Sequence, residues 1–415
     1  MAHGARRHGR RTFLRRVAAG LVLLGATALP ATANTANAAT ASPTGSFTGI
    51  TCPSPASCFA SGTYGDAKHK YVQPLVGRWA ADHWVLTRAP IPQPSNPQTS
   101  RGSLSSVACA TPKRCFAVGT FDQDDGPGIH HRTLIEQWDG TRWTLASRIR
   151  PAGSMASVLS DVDCPSATRC FAVGQWENVD FVTDVFLTQW NGKSWSIVKP
   201  PHIPYKVRQS RLTSISCATA SWCVAVGTYQ LPAQLAQTLT EHWDGTRWRW
   251  VSSPNAPKPM NYIDVLAGVS CASPTSCLAV GSQSEGGESG RYETLSLRWT
   301  GTRWIIVSTP RPAARNVYFL NGAACPANNA CFSVGNRTYY TTTGYRQVHP
   351  HVERWDGKTW SVPNTGLAEQ PPLSAIECRS RSDCIAVGGG PAPVVARWNG
   401  SAWSAESVPV VPGPA

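Results

Sequence analysis

The chain has 415 residues, 38 of them basic and 24 acidic, for a formal net charge of +14, and it carries 17 tryptophans and 14 cysteines. Six arginines crowd into the first sixteen positions and every acidic residue lies beyond them, so the rest of the chain carries a net +8 with no lysine or arginine run. Such thinly spread charge speaks against a nucleic-acid partner, which is normally met by a clustered basic stripe.

In chain order, the first element is an export signature. Arg10-Arg11-Thr12-Phe13-Leu14-Arg15 stands in a stretch without acidic residues, and an apolar run from Val17 to Leu29 follows. The run is shorter than the ~20 apolar residues a membrane span needs. Small-residue cleavage sites follow at Ala31-Thr32-Ala33 and Ala36-Asn37-Ala38. The segment resembles a twin-arginine signal peptide over residues 1–39, whose removal would leave a soluble chain starting between Asn34 and Thr40. An uncleaved membrane anchor is the alternative.

A short linker is expected at 40–45, and then a repeat begins. Cysteine pairs with C-x5-C spacing recur seven times: Cys52/Cys58, Cys109/Cys115, Cys164/Cys170, Cys217/Cys223, Cys271/Cys277, Cys325/Cys331 and Cys378/Cys384. Each pair is followed by two tryptophans with W-x4-W spacing: Trp79/Trp84, Trp138/Trp143, Trp190/Trp195, Trp243/Trp248, Trp299/Trp304, Trp355/Trp360 and Trp398/Trp403. First cysteines lie 57, 55, 53, 54, 54 and 53 residues apart, a period that accommodates one four-stranded propeller blade. Repeats are placed near 46, 104, 158, 211, 265, 319 and 372, the domain at 46–411 and a tail at 412–415.

Within the second repeat, Leu104–Cys109 alternates as a strand does, Ala110–Arg114 is a proline-bearing loop, and Cys115–Gly119 is a second strand. Opposed strand residues lie about 4.5 to 5.5 Å apart at Cα, which suits a disulfide. Seven identical spacings in an exported chain predict seven bonds, each within its repeat and flanking a five-residue loop. Structural zinc is disfavoured, because no repeat supplies a second ligand pair. Thr133–Trp138 forms a third strand and Trp143–Ala146 begins a fourth. If Asp139-Gly140 makes a two-residue turn, Glu136 opposes Trp143 and the tryptophans are diagonal neighbours on one face. Tryptophans at fixed places are read as packing between sheets, and a sugar-binding ladder is the alternative. The glycine ending the second strand (Gly62, Gly119, Gly174, Gly227, Gly281, Gly335, Gly388) is read as a close backbone approach or a bend.

This order of strands, glycine, variable loop, aromatic, Asp-Gly turn and tryptophan resembles kelch repeats and the propeller of galactose-oxidase-like proteins. Trp138-Asp139-Gly140-Thr141-Arg142-Trp143 also looks like the Asp-box of sialidases, and the whole is similar to secreted proteins of actinobacteria. Two departures stand: the kelch double glycine is Val-Gly here, and kelch repeats lack the cysteine pairs. The resemblance implies an all-β, seven-bladed β-propeller with four antiparallel strands and one disulfide per blade. Each blade should come from a single repeat, leaving the ring closed by packing alone.

In such a blade the cysteine hairpin and the tryptophan turn share one end of the ring and hardly vary. The second-to-third loops and inter-blade links share the other end, and they vary in length and chemistry, so ligand contacts are expected there. Candidate binding residues on that end are Asp122, Asp124, Asp125, His130, His131, Trp176, Glu177, Tyr205, Arg208, Tyr229, Tyr262, Asp264, Arg337, Tyr339, Tyr345 and Arg346. Asp180, Lys206, Glu285, Glu288, Arg315, Tyr318, Tyr340 and His349 accompany them. Aromatics mixed with both charge signs suit a glycan or peptide; solvated loops are the plain alternative.

Sharper chemistry finds little footing. Asp122–Gly126 lacks the spacing and distal glutamate of an EF-hand. His130-His131 and His349-Pro350-His351 read as solvated histidines before they read as metal ligands. A copper site like that of galactose oxidase needs a cysteine to spare, and a sialidase-like site needs motifs beyond the turn. Neither a G-x-S-x-G nor an H-E-x-x-H motif occurs. No cofactor, no metal and no catalytic residue is expected. The chain is read as a secreted, monomeric binding or interaction module for an extracellular glycan or protein. The alternatives are a glycan hydrolase or lyase using carboxylates at the channel mouth, and a structural envelope protein.

Overall fold

The computed structural model describes residues 44–65, 72–92, 101–124, 128–232, 236–255, 262–285, 292–310, 316–340, 346–390 and 392–409. The expected signal and the tail lie outside these residues. Thr44 and Gly45, assigned above to a linker, already belong to the first strand. Among the described residues there are 28 strands, β1 to β28 in chain order, and no helix long and apolar enough to cross a membrane.

Every repeat folds as one antiparallel meander. In the second, β5 (Gly102–Thr111) pairs with β6 (Arg114–Asp124), β6 with β7 (Ile129–Trp138) and β7 with β8 (Trp143–Ser147). The first strands of the other repeats are β1 (Thr44–Ser54), β9 (Ala156–Ser166), β13 (Gln209–Thr219), β17 (Tyr262–Ser273), β21 (Val317–Ala327) and β25 (Leu373–Ser380). Each first strand lies against the next, and β25 lies against β1, so together they enclose a central channel. Four-stranded sheets set radially about a channel make a β-propeller.

Neighbouring first strands are joined largely by side chains. Thr48 Oγ1 donates to the Leu104 carbonyl and Thr213 Oγ1 to the Leu266 carbonyl, both at 2.7 Å, and Asn321 Nδ2 donates to the Leu373 carbonyl at 2.9 Å. Among the described residues no strand is exchanged between the first and last repeats. β1 pairs along its length with β2 (Ser57–Gly65) of its own repeat, and it meets β26 (Asp383–Gly389) of the last repeat through the Ser46–Gly389 pair. Trp84 Nε1 donates to Glu406 Oε2 at 3.2 Å across this seam, and the Arg397 guanidinium lies 5.2 Å from the centre of the Trp79 ring.

All seven disulfides form within their repeats, with Cα separations of 3.9 to 4.1 Å, tighter than ordinary opposed strand residues. Stable bonds of this number mark an oxidising environment. The strands run on past the cysteines to pairs such as Thr111–Arg114, so the connecting turn is Pro112-Lys113 and not a five-residue loop. This corrects the placing of the turn, while Cys109 and Cys115 stand opposite each other as expected. The second cysteine of every pair, expected at the edge of a loop, is a core residue instead. Cys58, Cys115, Cys170, Cys223, Cys277, Cys331 and Cys384 are between 0% and 3% exposed, and each packs in one of the apolar clusters. The cause is their strand: the second of each repeat is flanked in its own sheet by the first and third, and its faces are closed by neighbouring sheets. The bonds therefore fill core space in addition to linking their hairpins.

The tryptophan hairpin departs further from expectation. Trp138 pairs directly with Trp143, and the same holds for Trp79–Trp84, Trp190–Trp195, Trp243–Trp248, Trp299–Trp304, Trp355–Trp360 and Trp398–Trp403. The turn therefore has four residues in all but the first repeat, where Ala80 also pairs with His83, and the rings are cross-strand partners, not diagonal neighbours. Its cause is the acid that opens it. Asp139 Oδ1 accepts the backbone N–H groups of Thr141 at 2.8 Å and Arg142 at 3.0 Å, which draws Asp139 out of the strand and into an Asx turn. Gly140 follows at φ 101°, a left-handed value that glycine adopts freely.

The paired rings fill the gaps between sheets. Phe116 of the second repeat lies 5.0 and 5.1 Å from Trp190 and Trp195 of the third, and Phe171 of the third lies 5.0 and 5.4 Å from Trp243 and Trp248 of the fourth. In the fourth repeat Val224 stands where Phe116 and Phe171 stand, and His242 takes over the ring's place. It lies 4.6 Å from Trp299 and accepts Trp304 Nε1 at 3.1 Å; burial pushes its imidazole down to about 4, so it stays neutral.

Candidate functional site

On the variable end, the proposed residues sit mostly on strand ends that reach beyond the sheets. Asp122 on β6 and His131 on β7 are register partners, with 2.8 Å between Oδ1 and Nδ1. His130 stands opposite Gln123, and Asp124 opposite the exposed Ile129. Trp176 and Glu177 close β10 (Arg169–Glu177), Trp176 packing half-buried in the core of repeats two and three. In the sixth repeat, Arg337 and Tyr339 lie on β22 (Ala330–Tyr340), and Tyr339 stacks on His349 at 5.2 Å; Arg346 opens β23 (Arg346–Trp355).

Two candidates prove to be interior. Asp264 is 1% exposed on β17, and Tyr318 is buried on β21 against His351 at 5.0 Å. Alternation cannot report this, because both faces of a blade are covered by its neighbours. Tyr262, Glu285 and Tyr340 are described only as backbone, in β17, β18 (Ser276–Glu285) and β22, and Asp125, Glu288, Arg315 and Tyr345 lie outside the described residues.

The third and fourth repeats hold the densest arrangement. The link between them, residues 199–208, folds over a cleft of about 390 Å³ lined by Asp184, Val185, Lys199, Pro200, Pro201, His202, Ile203, Tyr205, Val207, Ser210 and Glu241. Tyr205, half exposed, stacks on Tyr229 of β14 (Trp222–Gln230) at 6.0 Å with 7° between planes, and meets Trp250 edge-on at 6.0 Å. Arg208 points outward, while its N–H donates to the Gln230 carbonyl at 2.8 Å and anchors the link. Next to it, an Asn178-centred loop holds Val179 65% and Phe181 72% exposed. Asn178 Oδ1 accepts the N–H groups of Asp180 and Val182 at 2.9 and 3.0 Å, and Phe181 is held at φ 59°.

The innermost residue of the cleft escaped the sequence reading. Glu241, on β15 (Ala236–Trp243), is 0% exposed and neither carboxylate oxygen has a hydrogen-bond partner. Burial, with the nearby Asp184 charge, pushes its carboxyl well above the usual range. Asp184 itself is exposed and accepts Ser210 Oγ at 2.6 Å and the Val185 N–H at 2.7 Å. Glu136 and Glu353 occupy the corresponding place, two residues before the first tryptophan, in the second and sixth repeats, and both are fully buried. That recurrence was the available signal.

A second constellation lies in the channel, whose cavity of about 470 Å³ is lined by all seven first strands near the cysteines. The residue before the first cysteine is a carboxylate in two repeats, Asp163 and Glu377, where the others carry Thr51, Ala108, Ser216, Ser270 and Ala324. Asp161 adds a third. Asp161 Oδ2 accepts Ser214 Oγ and the Ile215 N–H, both at 2.8 Å, and Asp163 Oδ2 accepts the Cys217 N–H at 2.7 Å. Their other oxygens accept the N–H groups of Val162 and Cys164. Ser216 and Ser270 do the same work in their repeats, accepting the Cys271 and Cys325 N–H groups. These aspartates thus replace ladder bonds between β9 and β13. Burial, with the Asp161 charge, raises Asp163 to about 7; burial, with the Asp163 charge and against Arg379, raises Glu377 to about 8. Among the described residues no group of three or more His, Cys, Asp or Glu side chains is arranged to hold a metal ion.

No family model matches the chain, and no curated protein does. Among solved structures it is similar to YCF48 bound to a D1 peptide, at 10% identity over 86% of this chain and 93% of that one, with a TM-score of 0.49. It is also similar to a variant of the Aleuria aurantia lectin in complex with alpha-methyl-L-fucoside (10% identity, 89% and 97% covered, TM-score 0.40) and to a Hadza microbial sialidase (10% identity, 88% and 66% covered, TM-score 0.46).

Proposed function

We propose that this chain is an exported, seven-bladed, kelch-like β-propeller that works as a binding module, its ligand face being the variable end of the third and fourth repeats and its ligand an extracellular polypeptide or glycan. The observation that carries this is where apolar side chains are left in solvent. Among the described residues, Val179, Phe181, Val182 and Tyr205 are exposed at the variable end of repeats three and four, near the cleft that Tyr205 lines, and Ile129 is exposed at that end of repeat two, while Leu145, Ile197, Ile306 and Val362 lie singly on or beside outer strands. Exposed apolar side chains gathered near a cavity are the mark of an interaction site. The channel supports a hydrolase or lyase less well, since Asp161 and Asp163 have their oxygens engaged by the neighbouring strand.

The test is a combined peptide and glycan array with residues 40–415, followed by titration of the ligands found. Tyr205→Ala and Phe181→Ser are each expected to weaken binding by about tenfold, as hot-spot aromatics do. Ligands indifferent to both substitutions but lost with Glu377→Gln would move the site to the channel and overturn the proposal.

A further inference from the structure

The cleft between the third and fourth repeats has a defined polarity, and it rests on the reading above that this end is the binding face. Its rim is polar and exposed, with Lys199, His202, Tyr205 and Asp184; its walls are the apolar Pro201, Ile203 and Val207; and its inner limit is the unpartnered carboxyl of Glu241. A buried acid with no hydrogen bond is costly to maintain unless something arrives to satisfy it. We infer that the cleft takes the side chain of a lysine from a polypeptide, its alkyl stem between the prolines and Ile203 and its ammonium against Glu241 and Asp184.

The walls decide between cations. An n-alkyl stem needs only apolar contact on its way to the carboxyls, whereas an amino sugar would bring hydroxyls against proline, isoleucine and valine, which offer them no side-chain partner. A guanidinium would bring five donors in a plane, and the cleft offers two carboxyls, Glu241 at its inner limit and Asp184 nearer the rim, the latter already accepting Ser210 Oγ. A compact ammonium suits that supply.

The arrangement also fixes how binding responds to pH. Empty, Glu241 is biased towards its neutral acid by burial and the Asp184 charge. An arriving ammonium reverses that preference, so binding releases a proton and tightens as pH rises. The other titratable groups on the cleft are Asp184 on β11 (Thr183–Trp190) and Lys199, His202 and Tyr205 on the link.

The experiment is calorimetric titration of residues 40–415 with Nα-acetyl-lysine methylamide, beside its norleucine and arginine counterparts and glucosamine, in two buffers of different ionisation heat. The lysine compound is expected to bind about tenfold tighter at about pH 8 than at about pH 5.5, with proton release, while the norleucine compound does not bind. Glu241→Gln should abolish the proton release and weaken the lysine compound about tenfold, and Asp184→Asn should weaken it several-fold with the release retained. Equal binding of norleucine, preference for arginine or glucosamine, or no proton release by the wild-type chain would each overturn the inference, the last whether or not Glu241→Gln folds. Array ligands that depend on Tyr205 while the lysine compound fails to bind would leave the binding face standing and remove only the lysine.

Discussion

A β-carbon placed on Gly227 would lie 2.0 Å from the Arg211 carbonyl oxygen and 2.8 Å from Leu212 Cα, because β13 bulges towards it between Leu212 and Ser214. All seven repeats place a glycine there, and that much was legible as a close approach; the bulge that causes it was not. Gly227→Ala is expected to destabilise the domain by on the order of 3 kcal/mol in urea melts, while Gly128→Ala, with no atom near its added carbon, should leave the midpoint unchanged. Equal midpoints for the two variants would contradict the close approach. Glu241 shows the converse limit. Its strand, Ala236–Trp243, is closed on both faces by neighbouring sheets, so a polar residue within it carries no sign of being buried.

For single elements, the hairpins were legible in position and misread in register. Cysteine and tryptophan spacing located both turns of every repeat, but spacing alone does not say whether an aspartate sits in the strand or opens the turn. What decided it was the side chain of Asp139, and likewise those of Asp244 and Asp356, each accepting the two N–H groups that follow in its turn. The disulfides make a quantitative prediction at this level. Replacing Cys109 and Cys115 together by alanine should cost about 2 to 3 kcal/mol, the value for closing so small a loop plus the packing of the buried Cys115 sulfur, without unfolding the ring. A loss several times larger in denaturant melts would mean that the bond holds more than its own hairpin. Non-reducing peptide mapping should recover seven intra-repeat links.

For the whole molecule, buried carboxyls set the pH response. Glu136 and Glu377 are raised to about 8 and Asp163 to about 7, and Asp161 and Glu241 are raised as well. Each holds its proton more tightly in the folded state than in the unfolded chain, so its contribution is complete below about pH 4 and is lost as pH rises, for Glu136 and Glu377 towards 8. His242, lowered to about 4, works oppositely, losing its contribution as pH falls below about 6.5. Five groups outweigh one. The melting temperature is expected to fall between about pH 5.5 and 8.5, and Glu136→Gln should flatten that fall. A rise over the same interval would refute the assignment. The channel carboxylates responsible were not legible, because only the closed ring places residues from the third and seventh repeats around one lumen.

The seam between the first and last repeats has a mechanical consequence. Because the repeats it joins stand at opposite ends of the chain, their strands meeting through the Ser46–Gly389 pair, a force applied to the two ends of the chain pulls directly on this boundary. The sheets should then peel away one after another, each step releasing about 170 Å at roughly 3.4 Å per residue. Every step would be shortened by the few residues locked inside a disulfide. Adding a reductant should lengthen the steps by about 15 to 20 Å without changing their number, and a single cooperative rupture would show the boundary to be as strong as the sheets.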